Sequence, residues 1–406
     1  MAMIGRLLTG KRRRAGEGGD GWRNPWMADG VRHGRTRGSG ACPADGRPSR
    51  RILIVTDAWT PQMNGVVRTI GAVADELQEM GHAVDVIGPD LFRSVPCPTY
   101  PDIALSLLPE RCLTRMIEAF RPDALHIATE GPLGLAARRW ATRTGFRFTT
   151  AFHTRFPEYI RARTGIPVGP AYAWMRWFHG TAEATMVATG SLRGDLAARG
   201  FRNIVPWSPG VDHDLFSPEP REDWGLPRPV FVHIGRMAVE KNIRSFLDLD
   251  LPGSKVVVGG GPQLARLRRD YPGVLFTGPL YGEALARAYA GSDVFVFPSL
   301  TDTFGLVILE SLACGTPVAA FPVTGPKDVM ADAEGKIGAM NADLRLAAME
   351  ALTGDRAACR AHAERYSWRA CAETFLSVML PPAAREASAD VSLPAAPASG
   401  GPQAAV

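Results

Sequence analysis

Lysine is rare in this chain. Lys11, Lys241, Lys255, Lys327 and Lys336 are the five present, against 41 arginines. A lysine inside a motif is therefore hard to dismiss as incidental surface. Six cysteines, Cys42, Cys97, Cys112, Cys314, Cys359 and Cys371, are scattered without a CxxC or a paired spacing. That argues against a zinc ribbon or a disulfide framework and fits a reducing compartment. No run of about 18 apolar residues is present, so no transmembrane helix is expected. The first apolar cluster, Ile4 to Leu8, is broken by Gly5 and Arg6 and is too short for a secretory signal. The expected location is cytoplasmic, with peripheral contact at the inner face of a membrane as the one membrane role left open. Positive charge is also missing where a nucleic-acid-binding protein needs it. The net charge is +5 and the pI about 9.0. Residues 1–50 hold 11 of the 46 basic and 4 of the 41 acidic residues, so they carry +7 and the remaining residues −2. A near-neutral body removes the argument for nucleic acid as a partner.

What is present is a globular composition, 46% hydrophobic and 21% charged, in a length of 406 residues that allows two domains. Residues 1–49 are Gly/Arg-rich and read as a disordered basic leader, or as sequence upstream of the true start. Residues 381–406 are Ala, Pro, Ser and Gly and read as a disordered tail. Between them, Arg51-Ile-Leu-Ile-Val-Thr56 is an apolar run suited to a buried parallel strand. Val66, Ile70, Val73, Ala74 and Leu77 then fall on one helical face, Gly81 ends that helix, and His82-Ala-Val-Asp-Val-Ile87 follows as a strand. Further strands are expected at 124–127, 146–152 and 186–189. The stretch 206–229 holds Pro206, Pro209, Pro218, Pro220 and Pro227 and reads as a linker. The pattern restarts at Val230-Phe-Val-His-Ile234 and continues at 255–258, 274–277, 294–297 and 317–320. The fold class expected is α/β, with two Rossmann-like domains facing a central cleft. Ligands of such sheets bind at the carboxyl ends of the strands.

Four segments at those ends carry chemistry. In Pro298-Ser-Leu-Thr-Asp302-Thr-Phe304-Gly305-Leu306, a polar loop leads into a helix that continues through Glu310. The N–H groups of Phe304, Gly305 and Leu306 would face an anion, and Gly305 allows close approach. Glu310 suits vicinal hydroxyls, as acidic residues suit a ribose. In Gly235-Arg236-Met-Ala-Val-Glu240-Lys241-Asn242, a fixed guanidinium fork and a mobile ammonium stand together where a diphosphate needs neutralising. Asn64-Gly65 lies in the loop after the first strand, which lacks GxGxxG and so argues against a dinucleotide site there. His153 follows a strand in Phe152-His-Thr-Arg-Phe-Pro-Glu158-Tyr159 and would face the cleft. His126 and Glu130 end another strand and read as further cleft elements. Gly259-Gly260-Gly261-Pro262 is a weaker sign of backbone approaching a nucleotide. Asp212-His-Asp214 has the form of a metal-binding DxD but sits in the linker and reads as structural. Tyr172-Ala-Trp174-Met-Arg176-Trp177-Phe178 mixes aromatics with arginine. The expected reading is a helix packing its aromatics into the core, with an interfacial membrane surface as the alternative.

Together these segments resemble retaining glycosyltransferases of family four, which have the GT-B fold. Asp302 stands where many members have Glu, and the Thr-Asp-Thr-Phe-Gly form is similar to the branch of bacterial GDP-mannose-dependent alpha-mannosyltransferases and lipid glycosyltransferases. The resemblance spans about residues 51–380. It implies an acceptor domain over 51–205, a linker over 206–229, a nucleotide-sugar donor domain over 230–363 and a helix over 364–380 crossing back to the first domain. It implies donor contacts from Gly65, Arg236, Lys241, Asp302, Phe304, Gly305, Leu306 and Glu310. Catalytic roles fall to His153, Arg236, Lys241 and Asp302. Asn64, His126, Glu130 and Glu158 are left for the acceptor or the cleft. No metal and no cofactor is implied, the donor substrate being GDP-mannose or a UDP-sugar. A hexosyl group (mannosyl, glucosyl or glucuronosyl) would pass to a hydroxyl acceptor, first of all a membrane lipid. A polysaccharide or small soluble acceptor, a GT-B sugar-nucleotide epimerase and a non-catalytic nucleotide-sugar binder are the alternatives. The oligomeric state is not legible.

Overall fold

The computed structural model describes residues 48–60, 62, 64–97 and 100–379. The expected tail and all but the last two residues of the expected leader lie outside the described residues, as do Pro61 and Met63. Both expected Rossmann-like domains are present.

The first is built from β1 (Arg51–Val55), α1 (Gly65–Glu79), β2 (Ala83–Ile87), an antiparallel hairpin of β3 (Ser94–Cys97) and β4 (Tyr100–Ser106), α2 (Glu110–Phe120), β5 (Ala124–Ile127), α3 (Pro132–Thr144), β6 (Phe148–Ala151), α4 (Phe156–Thr164), α5 (Val168–His179), β7 (Ala184–Val187), α6 (Gly190–Ala198) and β8 (Ile204–Pro206). Its sheet runs β2-β1-β5-β6-β7-β8, and every printed pairing is parallel. β1 is apolar throughout because both of its faces are covered. Ile52 and Ile54 pack under α1, while Leu53 and Val55 pack under α2 and α3. The strand expected at 186–189 begins two residues earlier. Thr189 is spent as the cap of α6, its hydroxyl accepting from the Leu192 N–H at 3.2 Å.

The second domain comprises β9 (Val230–Ile234), α7 (Arg244–Leu247), β10 (Ser254–Val258), α8 (Leu264–Asp270), β11 (Leu275–Gly278), α9 (Gly282–Ala290), β12 (Val294–Phe297), α10 (Leu306–Ala313), β13 (Val318–Ala320), α11 (Pro326–Val329), β14 (Gly338–Met340), α12 (Leu344–Ala351) and α13 (Arg356–Ala363). Its parallel sheet runs β11-β10-β9-β12-β13-β14. A last helix, α14 (Trp368–Met379), returns to the first domain, burying Cys371, Ala372, Phe375, Leu376 and Met379 in the cluster that holds Ile52, Val73 and Leu77. The linker is stitched to the start of that helix. The Val211 N–H donates to the Tyr366 carbonyl at 3.2 Å, and Trp207 Nε1 donates to the Cys371 carbonyl at 3.1 Å. At Gly210 a Cβ would stand 2.4 Å from the Ser367 backbone, so only glycine lets the two segments cross.

Each sheet reverses its strand order at one place, between β1 and β5 in the first and between β9 and β12 in the second. The carboxyl ends flanking such a reversal leave a crevice between diverging connections. The loops leaving β1, β9 and β12 contain Asn64-Gly65, Arg236–Lys241 and Pro298–Gly305.

Candidate active site

The second-domain crevice carries the charge. After β9 the chain makes one tight turn, Val239–Lys241, and Asn242 then adopts a left-handed φ of 52°. Its side-chain amide donates to the Pro298 carbonyl at 3.1 Å, and the Ser299 hydroxyl donates to the Glu240 carbonyl at 3.4 Å. These bonds fasten the loop after β9 to the loop after β12. Lys241 Nζ consequently lies 2.6 Å from Asp302 Oδ1. The other oxygen, Asp302 Oδ2, is buried without a hydrogen-bond partner among the described residues. Arg236 stands half-buried on the same loop. Behind them His233 Nδ1 sits 3.1 Å from the Val296 carbonyl. Burial drives the His233 pKa down to about 4, against the opposing pull of that carbonyl, and the nearby Lys241 lowers it further. A neutral imidazole therefore underlies the pair.

Asp302 leads into α10. Gly305 precedes the helix at φ 88°, a left-handed conformation natural to glycine, and no side chain caps the helix start. Its first N–H groups face the loop. Glu310, one turn on, is 1% exposed, which rules out a surface glutamate. Its Oε2 accepts from the Tyr289 hydroxyl at 3.0 Å, and its Oε1 pairs with the Arg68 guanidinium of α1. Burial, together with the Glu310 carboxylate, pushes the Tyr289 phenol well above its usual range, so it stays a donor. The two domains are thus joined through the second carboxylate of the motif.

The first domain presents a different wall. Asn64 caps α1, its Oδ1 accepting from the Val66 and Val67 N–H groups at 3.0 and 3.1 Å. A Cβ at Gly65 would lie 3.5 Å from Leu306 Cδ1, so the N-terminal ends of α1 and α10 approach one another across the cleft. Two helix dipoles then present their positive ends to the same space. His153 follows β6, and its backbone carbonyl accepts from the Thr303 hydroxyl at 2.7 Å. This brings His153 beside the Asp302 loop. Its Nε2 is buried without a hydrogen-bond partner among the described residues, and its ring lies 5.7 Å from that of Trp207. Burial first, then His179, hold its pKa near 4, so the imidazole is neutral at physiological pH.

Two expected cleft residues are engaged elsewhere. His126 is a correction: it is fully buried within β5, Nδ1 is 2.9 Å from Thr149 Oγ1, and the ring is 4.8 Å from Phe375 of α14. It packs the first-domain core and does not line the cleft. Glu130 remains at the strand end, but its Oε1 is 3.2 Å from Nε2 of the buried His179. Glu158 accepts from the Tyr172 hydroxyl at 2.7 Å and borders a cavity of about 360 Å³ between the domains. In the linker, Asp212 Oδ1 accepts from the N–H groups of Asp214 and Leu215, closing a turn. Among the described residues, no group of three or more His, Cys, Asp or Glu side chains is placed to hold a metal ion.

Sequence reasoning missed Asp57, at the end of β1. Its buried carboxylate accepts from the Leu133 and Gly134 N–H groups at 2.8 and 3.2 Å and from the Thr129 hydroxyl at 3.0 Å. It thereby caps α3 and ties together the two loops of the first crevice. Burial outweighs those bonds and pushes its pKa up to about 6. The reading of α5 is also half corrected. Tyr172, Met175 and Phe178 are buried, but Trp174 and Trp177 are 41% and 53% exposed. Among the described residues no helix is long and apolar enough to cross a membrane.

Two parallel sheets that turn their crevices toward one another, with a last helix returning to the first, define the GT-B fold. Comparison with known proteins carries the assignment further. Residues 63–215 match the family described as Glycosyltransferase Family 4, and residues 228–353 match Glycosyl transferases group 1. A GDP-mannose-dependent alpha-mannosyltransferase of Mycobacterium tuberculosis is 32% identical over 307 residues, which cover 69% of this chain and 81% of that one. An alpha-monoglucosyldiacylglycerol synthase of Streptococcus pneumoniae is 26% identical, with 66% of this chain and 70% of that one covered. The structure of Anabaena Alr3699/HepE in complex with UDP shares the fold at a TM-score of 0.60 and 14% identity, over 80% of this chain and 98% of that one. The chain belongs to glycosyltransferase family 4.

Proposed function

We propose that the protein transfers a hexosyl group from a nucleotide-diphosphate sugar to a hydroxyl of a membrane lipid, with retention of anomeric configuration and without a metal. The observation that carries this reading is the Lys241–Asp302 pair at the start of α10, which meets His153 through Thr303. When the C1–O bond to phosphate breaks, the sugar becomes oxocarbenium-like and the diphosphate gains charge. Lys241, Arg236 and the first N–H groups of α10 stabilise that charge more in the transition state than in the ground state. Asp302 offers its buried Oδ2 to a sugar hydroxyl, and the neutral His153 offers Nε2. A ribose reaching Glu310 has to take the place of Arg68. Among the described residues, the cleft carboxylates Glu158, Asp195 and Asp302 are engaged by Tyr172, Arg155 and Lys241, which supports front-face attack with the leaving phosphate taking the acceptor proton. Closure of the two domains keeps water from the reacting carbon.

The mannosyl and glucosyl groups in the relatives' names support a hexose, and the guanine and uracil nucleotides named with them support GDP-mannose or a UDP-sugar as donor. The diacylglycerol in one relative's name supports a lipid. So do the exposed Phe156, Ile166, Trp174 and Trp177 on and around α4 and α5. They fit a protein lying against the inner face of a membrane. A thermal-shift screen of GDP- and UDP-sugars, followed by NMR of the glycosidic product, tests the proposal. One nucleotide series raises the melting temperature, and the product keeps the donor's anomeric configuration. No shift with either series, or an inverted product, refutes it.

A further inference from the structure

Three of the four lysines within the described residues are committed. Lys241 pairs with Asp302, Lys336 lies 3.4 Å from Glu350, and Lys255 donates to the Leu247 and Leu249 carbonyls. The Lys327 ammonium has no hydrogen bond or ion pair among the described residues, its backbone N–H donating to the Val323 carbonyl at 3.0 Å, and the residue borders the cavity of about 360 Å³ between the domains. The volume lies in the range of small-molecule sites, about 300–1,000 Å³. Arg155, Glu158 and Asp195 line it from the first domain and Thr301, Thr324 and Lys327 from the second. Thr301 precedes Asp302, and Arg155 follows His153 by two residues, so the cavity adjoins the reacting centre.

The lining charges balance, two cations against two carboxylates. Arg155 Nη2 is already engaged by Asp195 at 2.8 Å and by Thr324 Oγ1 at 3.3 Å. Glu158 uses Oε1 on Tyr172, while Glu158 Oε2 and Thr301 Oγ1 are buried without hydrogen-bond partners among the described residues. Buried polar atoms in folded proteins are nearly always paired, so two such atoms at one cavity call for a partner that enters it. An anion here meets Glu158 and Asp195. A cation meets Lys327 and Arg155. An apolar group leaves Glu158 Oε2 and Thr301 Oγ1 unpaired. A hydroxyl group both donates and accepts, and several together satisfy all of these atoms.

We infer that this cavity binds an uncharged, polyhydroxylated part of the acceptor, a sugar or polyol ring, and that Glu158 and Lys327 select it. The inference rests on the transferase reading above. The same chemistry can arrive as the headgroup of a glycolipid or as a free glycoside. Transfer is measured, with the donor identified by thermal shift, to four acceptors: vesicles containing hexosyl-diacylglycerol, diacylglycerol or phosphatidate, and a soluble methyl hexoside. Hexosyl-lipid or methyl hexoside is used at least tenfold better, by kcat/KM, than diacylglycerol or phosphatidate, and the better of the two identifies the source. Lys327→Ala, which removes no side-chain hydrogen bond or ion pair among the described residues, raises KM for that acceptor about tenfold with a smaller change in kcat. Glu158→Gln does the same, and both variants keep the wild-type thermal shift with nucleoside diphosphate. The inference is overturned if diacylglycerol or phosphatidate is used equally well, if neither variant changes KM, or if no hydroxylated acceptor is used while the donor still binds. Loss of the donor shift in the wild-type protein instead refutes the transferase reading itself.

Discussion

The two domains share a strand plan and differ in what they place at the crevice. In the second, the reversal between β9 and β12 gathers a cation and a carboxylate, Lys241 and Asp302, beside an uncapped helix. The first places near its strand ends groups whose ionisation burial opposes. Burial raises the Asp57 carboxyl to about 6 against three hydrogen bonds, and desolvation holds His153, just past β6, neutral. The architecture provides the crevice twice, and the side chains divide the labour. In the proposed transfer, one side offers charge to the leaving group, and the other sets the neutral imidazole of His153 beside it.

The sharpest way to break the contrast is to remove charge from the second crevice. Lys241→Ala and Arg236→Ala are each expected to lower kcat by about 10²–10³, the scale of losing one preorganised group at a developing anion. Near-normal steady-state turnover in either variant contradicts the diphosphate role.

The first crevice is tested by pH. The folded pKa of Asp57, about 6, lies above its unfolded value of 3.8. Between those values the native state holds a proton that the unfolded chain has released, so this group makes stability fall as pH rises. Its full contribution is present below pH 4 and gone above pH 6, a change of about 3 kcal/mol. In urea denaturation, the stability of wild type relative to Asp57→Asn is expected to fall by that amount across the window. Parallel curves contradict a suppressed charge.

The contact that joins the crevices comes next. Arg68→Met leaves Glu310 buried with only Tyr289 and is expected to cost about 2 kcal/mol, below the usual range for a buried pair because Arg68 is partly exposed. Arg68→Met with Glu310→Gln recovers part of that loss in a double-mutant cycle, whereas additive losses mean the pair is incidental. The smallest effect concerns the outer surface. Trp174→Ala with Trp177→Ala is expected to weaken flotation with anionic liposomes several-fold and to leave turnover of a soluble acceptor nearly unchanged. Unaltered flotation removes the membrane-facing role of α5.

The second crevice was far more legible from sequence than the first, for a physical reason. Its charges show locally, as Arg236 and Lys241 within six residues and Asp302 three residues before Gly305. The fold class was equally legible, because parallel strands covered on both faces are short apolar runs. The pairing of charges was not: Arg68 and Glu310 are 242 positions apart. Nor was the difference between two histidines near strand ends. His126 lies inside β5, where alternation turns it under α14, whereas His153 lies two residues past β6 and escapes the sheet. On α5, Tyr172, Met175 and Phe178 recur at intervals of three and go inward, which leaves Trp174 and Trp177 outside. The interdomain cavity takes residues from both domains, so no single segment could announce it.

The account stands most directly on nucleoside diphosphate binding, measured by titration calorimetry on the wild-type protein, Lys241→Ala and Asp57→Asn. It predicts that GDP or UDP binds the wild type, that Lys241→Ala weakens binding at least tenfold, and that Asp57→Asn leaves it within about twofold. Equal affinity in wild type and Lys241→Ala, or a larger loss in Asp57→Asn, would contradict it.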